Sequence, residues 1–136
     1  MQFSKLVIIV SIVGCGFAAA AVQLTTEQKT KCTFTCANHV KLTAGGCAKP
    51  IGSDSQGNPT GWELIQAHST ENHKAYFNCI GTEMAFSTCC LPDIFSKDGT
   101  TITINGDIAP LIYHRSCQDT SPQSTDFSKF PKDCKN

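Results

Sequence analysis

Along residues 32–36, Cys32, Phe34 and Cys36 alternate with Thr33 and Thr35, the period of a half-buried strand, while Cys32 and Cys36 also stand at the i, i+4 spacing of one helical face. Thr25, with Gln28 three residues on, is a capping-box signature. It favours a helix entering at Thr25, which Gly45-Gly46 would end. Helix and strand both stay open around Cys32 to Cys36. Residues 48–61, "AKPIGSDSQGNPTG", carry no periodic apolar positions and are dense in turn formers, so a surface loop is expected there. The segment beginning "WELIQ" reads as a short helical turn and leads into "AYFNC", an aromatic run suited to a strand. Further on, "TTITI" and "DIAPLIY" flank Asn105-Gly106, which predicts a two-residue hairpin turn. Asp98-Gly99 would turn "DIF" back in the same way, giving a small antiparallel meander with Pro110 at an edge or bulge.

The pattern changes character at the start of the chain. Lys5 precedes an unbroken apolar run from Leu6 and then small residues ending at Ala21, the arrangement of a secretory signal peptide over residues 1–21. The run is too short, and lacks the far-side charge, for a stop-transfer membrane span. The expected mature chain is then a single secreted, extracellular domain over residues 22–136, near the commonest domain size. It holds 10 basic and 11 acidic residues once Lys5 is gone, with no long charge run, so nucleic-acid binding and a polybasic membrane anchor find no support.

Cysteine usage agrees with export. Of the 9 cysteines, Cys15 falls in the apolar leader and eight remain: Cys32, Cys36, Cys47, Cys79, Cys89, Cys90, Cys117 and Cys134. An even set in a small exported chain reads as disulfides, although roughly a hundred pairings are open to eight cysteines. Zinc is not expected, because the second close pair is contiguous rather than spaced as ligands are. Cys89 and Cys90 are adjacent, and a bridge between neighbours would strain the peptide joining them. On an extended backbone their side chains point to opposite faces, so each is expected to reach a different distant segment. The preferred partners are one of Cys32, Cys36 or Cys47 and one of Cys79, Cys117 or Cys134. The fold expected is α+β: a small disulfide-stapled single domain with an N-terminal helix and an antiparallel β-meander or hairpin.

Chemistry-bearing motifs are sparse. The chain contains no G-x-S-x-G, H-E-x-x-H, P-loop or G-x-G-x-x-G segment. His39, His68, His73 and His114 are scattered, and His68 and His73 are spaced five apart, which suits a solvated pair better than a metal site. Glu63, Glu71, Glu83, Asp93, Asp98 and Asp107 are carboxylates from which an acid/base pair would have to come. Trp62, the one tryptophan, is either a platform for a sugar ring or a cap on the core, and Phe127 and Phe130 sit in a Ser, Thr and Pro rich tail. No catalytic residue, cofactor or metal site is assigned on this basis.

The leader, the eight cysteines, the single "CC" and the segment "YFNCIGTEMAFSTCC" together resemble the small secreted cysteine-rich proteins of fungi, many of them effector candidates. That resemblance implies a secreted interaction protein acting at a host surface, in the apoplast or on the fungal wall. A monomer meeting an extracellular protein or glycan is expected and, with no catalytic motif found, not an enzyme. The alternatives are a small secreted hydrolase or a hydrophobin-like surface protein. Hydrophobins share the eight cysteines but carry two CC pairs, and plant lipid-transfer proteins carry a C-x-C that is absent here.

Overall fold

The computed structural model describes residues 23–120 and 125–134; the expected leader and its cleavage point lie outside them. The elements in chain order are α1 (Thr26–Thr30), β1 (Phe34–Thr35), β2 (Ala44–Ile51), β3 (Gly61–Gln66), β4 (His68–Ser69), β5 (Tyr76–Asn78), β6 (Phe86–Cys90), β7 (Ile102–Ile104), α2 (Ala109–Ser116) and β8 (Cys117–Asp119). Short 3-10 turns cover Pro92–Ile94 and Phe127–Lys129. Five strands form a sheet in the order β7-β3-β2-β6-β8, and β1-β5-β4 form a second, three-stranded sheet. Every pairing is antiparallel, so the class is α+β as the sequence predicts.

The large sheet is buried on both faces, and the two-residue period of its strands sorts side chains between two cores. Ala48, Trp62, Leu64, Cys90 and Ile104 point to the face where Ala109 and Tyr113 of α2 pack. Cys47 and Cys89, with the half-buried Ile65, point to the other face and meet Phe34 and Phe77 of the small sheet. The layers approach most closely at Gly45, where a Cβ would stand 2.4 Å from Cγ of Phe77. Only a residue without a side chain leaves room for that ring.

Four disulfides reinforce this arrangement. Cys36–Cys89 and Cys47–Cys79 run between the layers, while Cys90–Cys117 links the neighbouring strands β6 and β8 at directly opposed positions. Cys32–Cys134 ties the C-terminal segment to the start of the small sheet. Cys89 and Cys90 therefore answer to different layers, because consecutive side chains on β6 project to opposite faces.

Several local expectations are corrected. The capping box at Thr25 is formed, with reciprocal bonds between Thr25 and Gln28, but α1 closes at Thr30. The chain through Cys32 and Cys36 is extended, and Gly45-Gly46 lie inside β2 rather than at a helix end. "WELIQ" is strand rather than helical turn, since Trp62 and Leu64 serve one core and Ile65 the other. The loop expected over 48–61 starts only after Ile51, because Ala48 to Ile51 continue β2 against β3, with Pro50 opposite Trp62. "DIF" is not a strand; Pro92–Ile94 is a 3-10 turn.

The predicted hairpin at Asn105-Gly106 is half right. Gly106 does take positive φ, at 93°, and Ile102–Ile104 is a strand, but Asn105 does not take the positive φ that a type I′ turn needs at both positions. Beyond the turn the chain enters helix α2 instead of a return strand. Pro110, expected at a strand edge, occupies the first turn of α2, where its missing N–H costs nothing. Ala109 and Tyr113, four apart, supply the buried face.

Candidate functional site

Two turn-rich segments converge beside the end of the large sheet. The first, residues 52–60, links β2 to β3 and is organised by Asp54, whose carboxylate accepts bonds from the backbone N–H groups of Gln56 and Asn58 and from Asn58 Nδ2. Those bonds hold the Asp54 carboxyl below its ordinary pKa, with the Asn58 side chain the largest cause. The second runs from Asn105 through Gly106 into α2. Between them lies a cleft of about 850 Å³. Ile51, Pro59, Trp62 and Pro110 give it apolar walls, and Thr60, Asn105, Asp107 and His114 give it polar ones, alongside the Asp54–Asn58 turn. Among the described residues no Lys or Arg lines it.

Trp62 forms the floor and is almost wholly buried, 4% exposed. Its indole stacks on Tyr113 at 4.6 Å, and the His114 ring meets it edge-on at 5.6 Å. The Tyr113 hydroxyl donates to Asp119 Oδ1 at 2.6 Å, and burial pushes the phenol's pKa well up, so the ring stays neutral beneath the floor. This is mainly the core-capping role, although Trp62 also lines the cleft. Asn105, Asp107 and His114 are solvent-exposed, and among the described residues their side chains accept or donate no hydrogen bond.

The other candidates are dispersed. His68 Nε2 lies 3.0 Å from the Ile80 carbonyl, and His73 Nε2 lies 2.8 Å from Asp133 Oδ1, so these two histidines serve separate contacts. Glu63 pairs with Lys49 across β2 and β3 at 2.6 Å, and Glu71 with Lys29 at 3.8 Å. Asp98 is held within its own turn by Ser96 and Thr100. Phe130 packs edge-on against Tyr76 at 4.8 Å and against Phe127 at 5.1 Å, beside a second hollow of about 430 Å³. Of the six carboxylates named from sequence, only Asp107 lines the main cleft, where it is joined by Asp54. Asp54, Asn58 and Asn105 read in sequence only as turn residues, and nothing local marks them as cleft walls. Among the described residues no three His, Cys, Asp or Glu side chains cluster as metal ligands would, and no helix is long and apolar enough to cross a membrane. No protein-family model, curated protein or solved structure matches the chain.

Proposed function

We propose that the protein is a secreted, disulfide-rigidified binding module that engages an extracellular partner through the cleft between residues 52–60 and 105–114, acting at a host or cell-wall surface. The observation that carries this reading is the cleft itself. Its volume is that of a ligand site, its walls mix apolar and polar side chains, and among the described residues the exposed side chains of Asn105, Asp107 and His114 make no hydrogen bond. Both rims are braced before any ligand arrives, one by the Asp54 turn and the other by α2, whose Tyr113 stacks on Trp62. Preformed walls reduce the ordering cost of binding. Four disulfides in so small a chain fit an oxidising compartment.

A hydrolase is the second reading, because Asp54 and Asp107 share this cleft. Glycoside hydrolysis asks one carboxyl for a raised pKa so that it can donate a proton. Asp54 is shifted the opposite way and is committed to its turn, which favours binding over turnover.

The test compares the wild-type protein with Asn105→Trp, whose bulk would occupy the cleft from an exposed position. Wild type is expected to be retained on extracellular or wall material and the variant released. Equal retention of both would show that binding, if present, uses another surface. Release of cleaved products by wild type would favour the hydrolase.

A further inference from the structure

Resting on that reading, the composition of the cleft names the class of ligand. We infer that the cleft binds an uncharged oligosaccharide. The absence of Lys and Arg from its walls removes the counter-charge that a phosphate, sulfate or uronate ligand would need. Asp54 remains ionised there and would oppose an anion further. A cationic peptide would want several free carboxylates, but the Asp54 oxygens already accept three hydrogen bonds inside the turn. Among the described residues that leaves Asp107 as the one carboxylate of the cleft not already engaged.

What remains is a mixed set of donors and acceptors, the Asn105 amide, the Thr60 hydroxyl and the His114 imidazole, together with Asp107. Such groups match the adjacent hydroxyls of a pyranose ring, each of which both donates and accepts. Sugar rings also present C–H faces, and Pro59, Pro110 and the part of Trp62 that lines the cleft give those faces apolar contact. At about 850 Å³ the cleft has room for more than one ring.

Trp62 makes the test direct, because it is the sole tryptophan and forms the cleft floor. Tryptophan emission of the full secreted protein is followed while it is titrated with hexamers of β-1,4-linked glucose, β-1,3-linked glucose and N-acetylglucosamine. A saturable change with at least one hexamer is expected. Asn105→Ala and Asp107→Ala should each weaken that response about tenfold, the loss of one well-made hydrogen bond, with thermal stability unchanged. An oligogalacturonate and a lysine-rich peptide should leave the emission unaltered. The inference is overturned if no hexamer acts at millimolar concentration, if the peptide or the uronate binds instead, or if both alanine variants bind hexamer like wild type. Should the hexamers fail while Asn105→Trp still abolishes retention on extracellular material, the ligand class is wrong and the cleft reading survives. Retention unaffected by Asn105→Trp ends both.

Discussion

The indole of Trp62 lies flat on the phenol ring of Tyr113, their centroids 4.6 Å apart and their planes 3° from parallel. The pair joins β3 to α2, so the same contact that closes the core also sets the floor and one wall of the cleft. Trp62→Ala is expected to cost about 3 to 5 kcal/mol in urea unfolding, as large aromatic deletions in cores do. Tyr113→Phe keeps the stack and loses the hydroxyl's interactions with the exposed Asp119 and with Thr88, for about 1 kcal/mol. Equal costs for the two variants would show that the stack is not what holds α2 on the sheet.

Gly45 tests the contact between the layers. A Cβ at this position meets the Phe77 ring at 2.4 Å, closer than packed atoms tolerate. Gly45→Ala should destabilise by about 1 to 3 kcal/mol through overpacking. Combining it with Phe77→Leu should cost less than the sum of the two single changes, because the smaller side chain gives way. Strict additivity would place the strain elsewhere.

The disulfides predict an order of stabilities. Cys36–Cys89 closes a loop with a sequence separation of 53 and Cys90–Cys117 one of 27. Chain-entropy arguments give about 4 kcal/mol for the longer and about 3.5 for the shorter. Replacing both partners of either bridge by serine should therefore lower stability by several kcal/mol, slightly more for Cys36–Cys89. Non-reducing peptide maps should join Cys89 to Cys36 and Cys90 to Cys117; a Cys89–Cys90 peptide would contradict the two-faced arrangement of β6.

Asp98 predicts an acid-sensitive contribution. Hydrogen bonds from Ser96 and Thr100 depress its pKa in the folded protein from 3.8 to about 2. A depressed folded pKa means that the contribution is fully present above pH 3.8 and is lost as pH falls toward 2. The difference in melting temperature between wild type and Asp98→Asn should be constant near neutral pH and shrink across that window. A difference that ignores pH would mean that the charged form is not what the turn stabilises.

A feature is legible in the sequence to the extent that its causes are local. The capping box at Thr25, the positive φ of Gly106 and the opposed directions of Cys89 and Cys90 each depend on a few neighbouring residues, and each is present. Helix α2 is hidden because its outer face is apolar too: Ile108, Leu111 and Ile112 are exposed, which flattens the contrast with Ala109 and Tyr113. β3 reads as a helical turn because a strand buried on both faces has no clean alternation; Leu64 and Ile65 each have a core to enter. The cleft is the least legible feature, since Asp54 and Asn105 lie far apart in sequence and meet only through the pairing of β2, β3 and β7.

The central claim is that the face bounded by residues 52–60 and 105–114 is where this protein binds. Hydrogen exchange of the protein, alone and then incubated with concentrated extracellular fluid, reads that face residue by residue. Slowed exchange at the amides of residues 52–60 and 105–109, with the segment 125–134 and the small sheet unchanged, is the result expected. Protection confined to residues 34–39 and 125–134, around the second hollow, or no protection anywhere, would contradict it.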